Sequence, residues 1–106
     1  MRVLWKHKLW FYDRTVLTYL HEIGLEGIVK SVRTRNEKVI NPDYIHRERI
    51  RVEVTVTERL TNEVYDRISE AIFFRLQHRK SVDGKWEQHN WISCPVRLYY
   101  KVKGDD

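Results

Sequence analysis

Among 106 residues there is a single cysteine, Cys94, and a single alanine, Ala71, with two prolines and four glycines. One cysteine excludes an intramolecular disulfide and any cysteine-rich zinc site, and its place before Pro95 at a strand start reads as an idle or buried thiol. Four scattered glycines build neither a phosphate-cradling loop nor a dinucleotide fingerprint, and no G-x-S-x-G is present. No apolar run approaches the roughly 20 residues of a membrane span, and no apolar stretch with a cleavage signal follows the basic start. The expectation is a soluble, intracellular chain with no membrane partner. His7, His21, His46, His78 and His89 make no H-x-H or H-x-x-x-H pair, so neither a metal nor a cofactor is expected. His78 and His89 are candidate bases for Cys94, but at generic spacing. Glu22 and Glu26, or Glu63, Asp66 and Glu70, read as solvated helix faces beside basic neighbours. No catalytic constellation results, and the expected function is non-enzymatic.

Large aromatic side chains are what the chain has instead: four Trp, six Tyr and three Phe. So small a domain cannot bury them all, and exposed aromatics mark contacts with a partner. Hydrophobic residues at 42% and charged ones at 33% describe a folded domain rather than a disordered chain. Twenty Lys plus Arg against 15 Asp plus Glu leave a net charge of +5. That permits an acidic partner such as DNA without demanding one, because the acids are interspersed.

Residues 1–12 read as a strand. Asp13 is a natural N-cap for a helix over 14–23 with Val16, Leu17, Leu20 and Ile23 on one stripe, and Gly24 fits the left-handed position past its end. A second strand is placed from Gly27 to about Arg35, with turn signals over 36–46. Ile50, Val52, Val54 and Val56 then alternate with Arg49, Arg51, Glu53, Thr55 and Thr57, the pattern of a sheet with one buried and one wet face. Leu60, Val64, Ile68, Ala71 and Ile72 form a helical stripe that loses its pattern at Phe73-Phe74-Arg75. Asp83-Gly84 is a turn joining 76–82 to 85–92 as a hairpin, and 96–103 is a closing strand. Together these predict one α+β domain over 1–103 with a polar tail at 104–106. Its order is β-α-β-β-α-(β-β)-β, a mainly antiparallel sheet with two helices on one face.

Two groups of residues are candidate contacts. Lys30, Arg33 and Arg35 on the second strand, and Arg49 and Arg51 on the wet face of the third, come side by side if the strands pair antiparallel. Such a patch neutralises phosphates without reading sequence, although Glu37, Glu48 and Glu53 dilute it. Trp86 and Trp91 fall on opposite faces of a hairpin strand, so one is core and the other a contact with a protein partner.

The stretch Pro42-Asp43-Tyr44-Ile45, the strand Arg49-Ile50-Arg51-Val52-Glu53-Val54-Thr55-Val56 and the helix from Glu63 to Ile72 resemble the tail-terminator (tail-completion) proteins of long-tailed phages and related viruses. In that family a short helix precedes a Pro-Tyr-Ile-like entry, an R-x-x-V-x-V strand leads into a helix across the sheet, and a strand closes the chain. The helix at 14–23 and the strand at 96–103 are similar in order and length. The resemblance implies a virion structural protein that assembles with itself, typically as a hexameric ring, and contacts tail-tube or neck proteins. Basic loops would then face DNA in the lumen. The alternative from the charge alone is a small basic nucleic-acid-binding domain.

Overall fold

The four β-branched side chains Ile50, Val52, Val54 and Val56 decide the centre of the molecule. In the computed structural model, which describes residues 9–38, 48–88 and 96–104, they lie on strand β2 (Glu48–Val56) and are 0–1% exposed. Strand β1 (Val29–Lys38) pairs with β2 antiparallel, and β5 (Val96–Val102) pairs with it parallel on the other side. Helix α1 (Leu9–Leu20) and helix α2 (Asn62–Gln77) supply the other half of the core. Val16 and Leu20 from α1, and Ile68, Ala71, Ile72 and Leu76 from α2, cluster with the inward side chains of β1 and β2. Two helices on one face of a sheet is the α+β arrangement expected.

A short hairpin follows α2, with β3 (His78–Lys80) paired antiparallel to β4 (Trp86–Gln88). Its turn places Gly84 at a φ of 86°, where a side chain would be strained. Two of the three strand pairings are therefore antiparallel. The third, β2 with β5, is the parallel pairing that a crossover through α2 and the hairpin permits. Over the described residues the order is α-β-β-α-β-β-β.

The expected opening strand gives way to helix where the structure describes it. Leu9–Tyr12 form the first turn of α1, and residues 1–8 lie outside the described residues. Tyr12, Val16 and Leu20 are all buried, four residues apart, so the buried stripe already includes the residue before Asp13 and the helix begins a turn earlier, at Leu9. Asp13 is consequently inside the helix and does not cap it. Its carboxylate accepts from the Thr34 backbone N–H at 2.5 Å and from the Thr34 hydroxyl at 2.6 Å, joining α1 to β1. After Leu20 the helix widens into a π-type turn, His21–Leu25, and Gly24 adopts a φ of 97°, the left-handed conformation expected there. Arg67 of α2 donates to the Ile23 carbonyl at 2.8 Å and holds this turn against the second helix.

Two further boundaries differ from expectation for identifiable reasons. A register shift between Val29 and Ser31 inserts one residue into β1, so Val29 and Val32 both face the core although they are three apart. Helix α2 begins after Thr61, whose hydroxyl accepts from the Val64 N–H, and runs on through Phe73-Phe74-Arg75 because Leu76 continues the buried stripe.

Truncating Asp13 to alanine strands the buried donor of Thr34. We expect a loss of about 1–3 kcal/mol in urea unfolding. An unchanged midpoint would show that the pairing of Asp13 with Thr34 contributes nothing.

Candidate functional site

The outer face of the sheet carries the predicted basic residues, and strand pairing decides what they do. Antiparallel register sets Arg33 opposite Glu53, Arg35 opposite Arg51, and Glu37 opposite Arg49. Directly opposed like charges are unfavourable, yet here each is drawn to a diagonal carboxylate. Arg35 reaches Glu53 at 3.0 Å, and Arg51 bridges Glu53 at 2.7 Å and Glu37 at 2.9 Å. Arg49 donates from Nε to the other oxygen of Glu37 at 2.5 Å. The Arg49 and Arg51 hydrogen bonds, in that order, hold the Glu37 carboxyl below its usual pKa.

Strand β5 extends this ladder. Tyr99 stands opposite Glu53 in the parallel register, its ring 3.6 Å from the Arg51 guanidinium and its hydroxyl 3.3 Å from Arg49. Of the five predicted phosphate-contacting residues, the fold thus joins Arg35, Arg49 and Arg51 into one ladder with its own counter-charges. Lys30, at the bulge, and Arg33 are exposed along the same strand. The acids were visible in the sequence as diluting charges. No local signal in the sequence marks Tyr99, because its place beside Arg49 and Arg51 depends on the parallel pairing of a strand about 50 residues away.

Trp86 occupies a second region. Its ring meets Tyr19 and Phe74 edge-on, with centroids 5.4 and 5.2 Å away, and it remains 37% exposed. The charged groups of Arg75 and Lys80 each lie 5.5 Å from its centroid. Burial pulls Arg75 below the usual guanidinium pKa, and its Nη1 donates to the His78 carbonyl at 2.7 Å. A cavity of about 430 Å³ opens here, between α1 and the hairpin. Trp91, the other predicted contact, lies outside the described residues, as do His89 and Cys94.

A third region flanks β5. Tyr65 of α2 and Tyr100 pack with centroids 4.6 Å apart, beside an open groove of about 600 Å³ that Leu60 and Val102 also line. The Tyr100 hydroxyl shares a 2.6 Å hydrogen bond with Ser69, and burial pushes its pKa up to about 12.

The described histidines have backbone partners. His21 donates from Nε2 to the Val29 carbonyl at 3.1 Å, and His78 from Nδ1 to that of Phe74 at 2.9 Å. Among the described residues no three His, Cys, Asp or Glu side chains converge as a metal would require. No protein-family model matches the chain, and neither a curated protein nor a solved structure matches it.

Glu37 gives the ladder a signature in pH. A carboxyl with a lowered folded pKa stabilises above its ordinary value of 4.5, and that contribution is lost as pH falls through the lowered value. Replacing Glu37 with Gln is expected to cost up to about 1 kcal/mol near neutrality, the range of partly exposed ion pairs. The gap to the wild type should narrow in urea titrations as pH falls from neutrality through that lowered value. A gap of equal size at neutral and acid pH would assign the loss to packing rather than charge.

Proposed function

We propose that the protein is a non-enzymatic structural or adaptor subunit that works by associating with copies of itself, with the β5 side as its contact surface. One observation supports this above the others. The inward apolar side chains of β2 are fully buried, whereas Val96, Leu98, Tyr100 and Val102 of β5, from the same sheet and facing the same way, are only half covered. Tyr65, next to them, is 44% exposed. An incompletely covered apolar row along an outer strand offers both buried area and backbone pairing to a partner.

The opposite edge differs. Helix α1 and the π-type turn after it answer β1 backbone groups at two places, Asp13 accepting from the Thr34 N–H and His21 donating to the Val29 carbonyl. No comparable side-chain cover meets β5 among the described residues. Growth of the sheet is therefore favoured on the β5 side. Two β5 strands meeting about a two-fold axis would give one continuous sheet and a closed dimer. A ring would set the same side against a different surface of the next copy. The concrete setting we propose is that of the family the sequence resembles: a virion tail-terminator or neck-like ring, in contact with tail-tube or neck proteins.

A basic domain that contacts DNA phosphates through Lys30, Arg33, Arg35, Arg49 and Arg51 is the second reading, favoured by the exposure of Lys30 and Arg33. Salt separates the two. Copies carrying +5 each repel, so added salt should promote self-association, whereas it should weaken phosphate binding steeply. Light scattering on a sizing column at micromolar concentration is expected to find species larger than the 13.0 kDa monomer. Tyr65→Glu should weaken their formation by about tenfold, as a lost interface anchor does. A particle that stays monomeric at all salt concentrations, with tail-tube protein added, overturns the assembly reading.

A further inference from the structure

The cavity beside Trp86 lies on a different part of the molecule from β5, and its chemistry is independent of self-association. Its walls combine two kinds of group. The first is cationic: Arg14 from α1, Arg75 from α2 and Lys80 from the hairpin line it, against one acid, Glu22. The second is a propped aromatic plane. Tyr19 and Phe74, themselves stacked with centroids 5.8 Å apart, both hold the Trp86 ring edge-on, which fixes its orientation while leaving it open to solvent.

These elements meet only in the folded chain. Arg14 and Tyr19 lie on one helix, Arg75 near the end of the other, and Lys80 and Trp86 on paired residues of the hairpin. Two of the three cations are placed by the fold itself: Arg75 donates to the His78 carbonyl, and Arg75 and Lys80 each lie 5.5 Å from the Trp86 ring centroid. A volume of about 430 Å³ falls in the range of small-molecule sites, roughly 300–1,000 Å³. Guanidinium forks match phosphate oxygens, and an indole face takes a planar ring by stacking. The Glu22 carboxylate, which also lines the cavity, is an acceptor for a ring amine.

We propose that this cavity binds a nucleoside monophosphate, its phosphate held by Arg14, Arg75 and Lys80 and its base stacked on Trp86. The same chemistry is offered by a free nucleotide and by the phosphorylated end of a nucleic-acid strand. Titration of the intact chain with AMP, followed by the Trp86 indole N–H resonance, tests the site. The resonance is assigned through Trp86→Phe.

Saturation below about 1 mM is expected. Arg14→Gln and Lys80→Gln, both exposed and away from the core, should each weaken AMP by about five- to tenfold while the far-side control Lys101→Gln leaves it unchanged. Binding of AMP alone assigns the site to free nucleotides, and equal binding of a 5′-phosphorylated tetradeoxyadenylate assigns it to strand ends; either supports the proposal. It is overturned by the absence of saturation at about 10 mM AMP, by folded Arg14→Gln and Lys80→Gln variants that bind like the wild type, or by inorganic phosphate binding as tightly as AMP.

Discussion

Everything in this structure hangs on the two-sidedness of β2. It is the middle strand, and its four inward β-branched side chains are packed from both helices while its outward Arg, Glu and Thr side chains are half-exposed on the other face. A one-residue slip would exchange the two sets, placing Arg51 and Glu53 in the core. That penalty fixes the register of β1 on one side and of β5 on the other. The charge ladder follows from it, because Glu37, Arg49, Arg51 and Glu53 meet only when the apolar face is correctly seated. The ladder adds little stability pair by pair, but it discriminates against misregistered pairings, which set like charges together.

How much of this could be read from the sequence depended on whether a signal was local. β2 and the Asp83-Gly84 turn rest on a strict period and a turn dipeptide, and they stand where expected; α2 keeps its stripe but runs on to Gln77, which shortens the first hairpin arm from 76–82 to His78–Lys80. The start of α1 was misplaced because Leu9–Tyr12 satisfy alternation and helical spacing alike. An aspartate before an apolar stripe looks like a cap unless its partner 21 residues away is known. β1 was hard to bound because the bulge near Lys30 breaks its alternation. The parallel placement of β5 carried no local signal. With it went the proximity of Tyr99 to Arg51, and of Tyr65 to Tyr100.

The same distinction separates the two readings of composition. The excess of basic residues is a sum over the chain, and on the sheet face it is divided by carboxylates at alternate positions. Among the described residues the fold gives aromatic side chains at least three uses. Tyr12 is core, Tyr99 caps a guanidinium on the wet face, and Trp86 is held open on a bracket of two other rings. Neither Tyr99 nor Trp86 belongs to the core cluster. Cation–π contact from Arg75 and Lys80 keeps that indole in a charged setting rather than an apolar one, which distinguishes its region from the Tyr65–Tyr100 groove.

The unequal treatment of the two outer strands is the last consequence. A three-stranded sheet open on both sides would extend without limit, since each added copy presents a new edge. Here α1 and the π-type turn after it take backbone groups of β1 through Asp13 and His21, so β1 is a poorer template. β5 keeps apolar side chains half covered, with cations at Arg97 and Lys101 on its exposed positions. Those cations oppose indiscriminate pairing, while the apolar row favours a partner that brings its own complement. If β5 is the contact proposed above, one guarded edge and one selective edge let association close, with the determinant of closure at β1, across the sheet from that contact.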